Sequence, residues 1–223
     1  MASFLGFSCH SAPQDINIGS QMNPIVKVGV IGVQGDVSEH LDSVARAMAE
    51  MKIEGEAVWV RTASELEVVN GLIIPGGEST TISKVILKNG LHDGIVEKAV
   101  DGVPVMGTCA GCVLMAKEGG KAVKITDTKL LGLMDMKVRR NAFGRQRESF
   151  EVMLDIEGLD GFHAVFIRPP AIEKVWNDCR PLASYDEKIV MARQGNMLAL
   201  AFHPELSGDT AIHRMFLELV SRQ

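Results

Sequence analysis

Apolar residues along the chain fall into short runs separated by longer amphipathic stretches, and the period of each predicts an element. Ile25 to Val33 is a β-branched run suited to a strand buried on both faces, ending around Gly32, Gln34 and Gly35. A helix is predicted from there to about Met51, capped by Asp36 or Ser38, with Leu41, Val44, Ala45, Met48 and Met51 near a 3.6-residue period. Ala57 to Val60 and Leu72 to Ile74 read as strands, the second stopped by Pro75, Gly76 and Gly77. Val103 to Met106 predicts a further strand and Ala110 to Lys117 a helix. Such alternation predicts an α/β fold, an open and mostly parallel sheet with helices on both faces. After Gly132 the pattern changes to strand-like pieces, Phe150 to Leu154, Ala164 to Ile167, Lys188 to Ala192 and Met197 to Phe202. These predict a small antiparallel addition. A closing helix, about Asp209 to Ser221, carries Ile212, Met215, Phe216 and Leu219 on one stripe.

Composition narrows the function classes. With 223 residues, 46% of them hydrophobic, the chain can bury the core of one α/β domain, assigned to residues 25–223. A net charge of −5 and a pI near 5.7 offer no basic face, which argues against a nucleic-acid partner. No run approaches the roughly 18 apolar residues of a membrane-spanning helix, so a membrane role is not expected. Residues 1–24 lack apolar periodicity, and the first basic residue is Lys27. They read as a disordered lead-in, with the marks of neither a secretory signal nor a transit peptide. Cys9, Cys109, Cys112 and Cys179 are too few and too scattered for a disulfide framework, which favours a cytoplasmic protein.

The sharpest chemical feature is Gly107-Thr108-Cys109-Ala110-Gly111, set between an apolar strand and an apolar helix. It has the form of a nucleophile elbow, whose strained turn tolerates only small neighbours. The helix N-terminus there favours thiolate over thiol. Taken alone, the pattern also suits a buried structural cysteine between packing glycines. His203-Pro204-Glu205 follows another apolar run. Residues two apart on an extended chain share a side, so Glu205 could accept from one imidazole nitrogen while the other takes a proton from Cys109. A surface turn is the plainer reading of that tripeptide by itself; both motifs at the carboxyl ends of predicted strands favour a site. Pro75-Gly76-Gly77-Glu78-Ser79 also follows a strand, and its glycine pair could present backbone N–H groups to an oxyanion. Cys109 and Cys112 form a C-x-x-C pair, but no second pair or histidine set accompanies it, so a redox or zinc role is disfavoured and no metal is expected. His40, His92, His163 and His213 stand outside these motifs, and packed or solvated roles are expected for them.

Together these segments resemble the class I (triad) glutamine amidotransferases, and among them the glutaminase subunits of pyridoxal 5'-phosphate synthases. The likeness runs from about Ile25 to the C-terminus. It includes Gly32-Val33-Gln34-Gly35 with Glu39-His40, Pro75 to Thr81, Gly107 to Gly111, Arg140 to Gln146, Val165 to Arg168, and Phe202 to Leu206. The resemblance implies a flavodoxin-like sheet and hydrolysis of L-glutamine to L-glutamate and ammonia. Cys109 would be the nucleophile, His203 the base and acid, Glu205 the orienting carboxylate, and the backbone of Gly77 and Ala110 the oxyanion hole. Gly77, Glu78, Ser79, Arg140, Ile167 and Arg168 would bind glutamine, and Gln34 would lie near the ammonia exit. Neither metal nor cofactor is implied; the implied partner is a (β/α)8 synthase subunit in a hetero-oligomer, which makes the vitamin B6 cofactor. Cys112 departs from the family pattern, where an aliphatic residue is expected, as does the lead-in. Alternatives are the glutaminase of imidazole glycerol phosphate synthase, which should lack the Arg140 to Gln146 run, and a catalytically silent binding subunit.

Overall fold

The computed structural model describes residues 25–32, 35–144 and 148–222. The lead-in and Gln34 lie outside them. The elements are β1 (Val26–Ile31), α1 (Val37–Met51), β2 (Gly55–Val60), α2 (Ala63–Glu67), β3 (Gly71–Ile74), α3 (Ser79–Lys88), α4 (Leu91–Val100), β4 (Val105–Thr108) and α5 (Ala110–Met115). There follow β5 (Ala116–Gly119), α6 (Lys121–Ile125), β6 (Met134–Arg139), β7 (Ser149–Ile156), β8 (Leu159–Ile167), β9 (Ala171–Val175), β10 (Arg180–Tyr185), β11 (Lys188–Gln194) and β12 (Met197–Leu200). A 3-10 turn, Pro204–Leu206, leads to α7 (Ala211–Val220).

Ten strands form one sheet in the order β2-β1-β3-β4-β12-β11-β9-β6-β5, with β10 paired to β11. From β2 to β12 every pairing is parallel. β11 runs antiparallel to β12, β9 and β10, and β6 runs antiparallel to β9 and parallel to β5. β7 and β8 form a separate antiparallel pair. The predicted parallel sheet and antiparallel addition are thus both present, but most of the addition extends the main sheet.

The alternation of side chains along a strand explains the two layers of helix. On β3, Ile73 joins a core with Val44, Met48, Ile212 and Phe216 of α1 and α7. Its neighbours Leu72 and Ile74 point the other way, into a core with Ile82, Ile86 and Ile95 of α3 and α4. β3 and β4 are buried along their whole length, as strands covered on both faces must be.

Three local expectations are corrected. On α1, Ala45 is exposed and Ala47 takes the core position. α5 stops at Met115, and Lys117 belongs to β5, because the chain turns there to pair with β6. β12 ends at Leu200, two residues before Phe202.

The central order fixes the site. Ile74 pairs with Gly107 and Leu200 with Thr108, so the carboxyl ends of β3, β4 and β12 lie side by side. The residues after them, Pro75 to Ser79, Cys109, and Phe202 to Glu205, leave the sheet at one edge.

Candidate active site

Cys109 sits between the last residue of β4 and the first of α5, at φ 48° and ψ −99°. A non-glycine residue there stores roughly 1–3 kcal/mol, held by its surroundings. A Cβ on Gly107 would lie 2.7 Å from the Gly111 carbonyl carbon, and one on Gly111 would lie 2.0 Å from the Ile74 oxygen. The glycine on either side is therefore a steric requirement. The Cys109 N–H donates to the Leu200 carbonyl at 2.8 Å, tying the turn to β12. The buried thiol faces the Ile167 carbonyl at 3.8 Å.

His203 is held by its own N–H, which donates to the Val165 carbonyl of β8 at 2.8 Å. Its Nδ1 is 2.7 Å from Glu205 Oε1 and 3.2 Å from Asp36 Oδ2. Nε2 is buried with no hydrogen bond among the described residues. The contact with Glu205 does not arise from an extended chain: Glu205 lies in the 3-10 turn, which folds its carboxylate back to Nδ1 of the ring. Burial disfavours a charged imidazole, but the neighbouring Asp36 carboxylate, Cys109 sulfur and Glu205 carboxylate outweigh it, and the pKa of His203 is pushed up to about 12. The bond to His203 in turn lowers that of Asp36. Burial raises the Glu205 carboxyl although the neighbouring imidazole opposes the rise.

Asp36 was missed as a site residue. It occupies the N-cap position of α1, yet its side chain makes no capping bond and turns to His203 instead. The available signal was an acidic residue just beyond a glycine at the end of β1. Asp36, His203 and Glu205 also form the set, among the described residues, whose ligand atoms could hold a metal ion, lying within 4.8 Å of one another. A metal ligand must be a neutral imidazole, and the raised pKa of His203 favours a proton there.

A cavity of about 320 Å³ opens in front of Cys109, within the size range of small-molecule pockets. Gly77, Glu78, Ser79, Cys109, Ala110, Arg140, Ile167, Arg168 and His203 line it; Glu205 stands behind His203. Glu78 caps α3 by accepting from the Thr81 N–H at 2.8 Å, and its other oxygen accepts from Arg140 Nη2 at 2.7 Å. Arg140 Nη1 donates to Thr80 Oγ1 at 3.2 Å. Ser79 Oγ is buried without a partner among the described residues. Gly77 has φ +125°, and Arg168, at the mouth, has φ 41°. Gln34, and Arg145 and Gln146 of the Arg140 to Gln146 run, lie outside the described residues. Cys112 is fully buried in α5, where burial pushes its thiol far up, and Cys109, Cys112 and Cys179 are all free.

Solved structures with this fold include one described as a glutamine amidotransferase, with TM-score 0.77 and 42% identity, covering 87% of this chain and 98% of that one. PurLQS from Thermotoga maritima shares the fold alone, with TM-score 0.58 and 17% identity over 89% of this chain and 98% of that one. The class is therefore that of the glutamine amidotransferase fold. More narrowly, the SNO glutamine amidotransferase family matches residues 30–222, and the chain belongs to that family. Its relatives include "Pyridoxal 5'-phosphate synthase subunit PdxT" of Archaeoglobus fulgidus, 54% identical over 194 residues, 87% of this chain and 98% of that protein. The PdxT of Methanosarcina acetivorans is 49% identical over 196 residues, 87% of this chain and 98% of that protein.

Proposed function

We propose that this chain is the glutaminase subunit of a pyridoxal 5'-phosphate synthase, hydrolysing L-glutamine to L-glutamate and ammonia through Cys109, His203 and Glu205. The relatives' identity over most of the chain supports the enzyme and its pathway. The residue roles rest on one observation: a cysteine in a strained turn faces the same cavity as a buried imidazole clamped by carboxylates.

In this reading Cys109 Sγ attacks the side-chain amide carbon and its proton rests on His203. The tetrahedral oxyanion is met by the backbone N–H groups of Gly77 and Ala110. His203 then protonates the leaving nitrogen, ammonia departs, and a thioester remains on Cys109. Water, deprotonated by His203, adds to the thioester, glutamate leaves, and the proton returns to sulfur. Glu205 keeps the imidazole oriented and offsets its charge. Arg140, together with Arg168, binds the α-carboxylate, a group that guanidinium pairs with in bidentate fashion. Arg140 exchanges Glu78 for substrate, which frees the Glu78 carboxylate for the α-ammonium. Ser79 offers its unpartnered hydroxyl, and Ile167 its carbonyl. The chemistry calls for neither metal nor cofactor.

Ammonia passes by Gln34 to a (β/α)8 synthase subunit in a hetero-oligomer. No helix of the described residues is long and apolar enough to cross a membrane, which fits a cytoplasmic complex. Residues 25–223 form the glutaminase domain. The test is glutamate release by the chain and by Cys109→Ala, with and without the synthase subunit. Cys109-dependent turnover, stimulated by the synthase, is expected. Unstimulated turnover would point to another acceptor, and no turnover under any condition would leave a silent binding subunit.

A further inference from the structure

We infer that His40 is a positioning residue, joining the Glu205 carboxylate to the strand end that carries Cys109, with His213 fixing its tautomer. The inference rests on the triad reading above. His40 lies on the core-facing stripe of α1 with Val37, Leu41 and Val44, and is 0% exposed. An imidazole on such a stripe is usually a satisfied core residue, so its partners decide the matter.

Two of those partners lead to the site. His40 Nε2 is 3.2 Å from Glu205 Oε2 and 3.1 Å from Thr108 Oγ1. Glu205 Oε1 already serves His203, so the carboxylate is held between two imidazoles. That approach is one of distance: Oε2 is buried and makes no hydrogen bond among the described residues, so the His40 ring is the polar group that faces it. Thr108 is the residue before Cys109, and one ring nitrogen thus touches both the acid of the triad and the chain that presents its nucleophile. On the far side, His40 Nδ1 is 3.1 Å from Nε2 of His213 on α7, itself 0% exposed.

One arrangement of the protons fits these neighbours best. A carboxylate oxygen can only accept and the Thr108 hydroxyl can accept as well, so a hydrogen on Nε2 of His40 suits both of its neighbours. Its Nδ1 then accepts, which requires His213 to donate from Nε2. That leaves His213 Nδ1 bare, and this atom is indeed buried without a partner. Both rings must stay neutral for this. Burial, then the neighbouring His213 and His203, lower the pKa of His40 well below its ordinary value, and burial with Arg46 lowers that of His213 to about 3. A core filler would have no need of a second histidine 173 residues away to set its tautomer.

The experiment compares His40→Leu and His40→Gln in the complex with the synthase subunit. Leucine fills the space without a donor, whereas the glutamine amide can return an N–H to the place of Nε2. For His40→Leu, kcat should fall roughly 10- to 100-fold, the size of effect expected when a buried charged group loses its polar neighbour, with KM within about twofold. His40→Gln should recover most of the rate. Unchanged kcat per folded molecule in His40→Leu, with only a lower melting temperature, would overturn the inference and leave the triad standing. Absence of Cys109-dependent turnover in the unaltered protein would remove both. If His40→Leu does not fold, nitrogen-15 NMR of the unaltered protein decides: hydrogen on Nε2 of His40 is expected, and hydrogen on Nδ1 overturns it.

Discussion

Replacing Gly111 with alanine tests the claim that the nucleophile turn is fixed by contact between backbones. The added Cβ would stand 2.0 Å from the Ile74 oxygen and 2.9 Å from its carbonyl carbon, where real Cβ atoms keep beyond 3.0 Å. The gap must open by 3.0 − 2.0, or about 1 Å. Neither wall yields harmlessly: one is the start of α5, carrying Cys109 and Ala110, and the other is the end of β3, carrying Gly77. Overpacking of this size costs about 1–3 kcal/mol. At roughly 2–4 °C per kcal/mol for a chain of this length, the melting temperature should drop by about 2–12 °C. The rate should suffer more, because a 1 Å misplacement of reacting groups costs on the order of 100-fold. Glutamate release at saturating glutamine and calorimetry on the same sample give both numbers. The control is Gly90→Ala, where φ is +67° but nothing lies within 4 Å of the added carbon, so it should lose stability through backbone strain and keep its kcat. A Gly111→Ala enzyme within threefold of the native kcat would refute the reasoning.

Arg140→Lys keeps the charge but cannot reach Glu78 and Thr80, or a carboxylate, from two nitrogens at once. KM for glutamine should rise about 10- to 100-fold with kcat nearly unchanged; a kcat loss at constant KM would contradict the assignment. Asp36→Asn tests the second carboxylate on His203 through stability measured by urea unfolding against pH. The raised His203 pKa gives stability that is full below about pH 6.5 and lost as pH climbs towards the folded value of about 12. The lowered Asp36 pKa gives stability present above its unfolded value near 3.8 and lost in acid. The cost of Asp36→Asn should therefore be largest between about pH 4 and 6.5 and fade on both sides. A cost that does not change with pH would show that Asp36 acts by packing alone.

The readable parts of this sequence were those whose chemistry is local. Gly107 and Gly111 mark the turn because the turn itself forbids a side chain. The central strands declare themselves as unbroken apolar runs because both faces are covered. β5, β6, β9 and β10 were not read individually, since each is held by distant partners and β9 and β10 keep polar residues on their exposed faces. Asp36 passed for a helix cap because its position along the chain suits one, and only the packing of the loop after β1 against His203 reveals its other use. His203 and Glu205 were paired correctly for an incomplete reason, the 3-10 turn and not strand alternation bringing them together. The link from His40 to His213 joins α1 to the last helix, and no local pattern could disclose it.

The loops around His203 have a mechanical consequence. A Cβ on Gly35 would fall 1.9 Å from the Gly76 oxygen, and one on Gly76 would fall 2.5 Å from His203 Cε1. Main chain leans on main chain and then on the imidazole, with no side chain between as a cushion. Rotamer changes absorb displacement elsewhere in a protein, but the two glycines have no side chain to change. A displacement of Gly35 therefore bears on Gly76 and through it on the ring, so whatever grips the chain at Gly35 would reach the imidazole without entering the cavity.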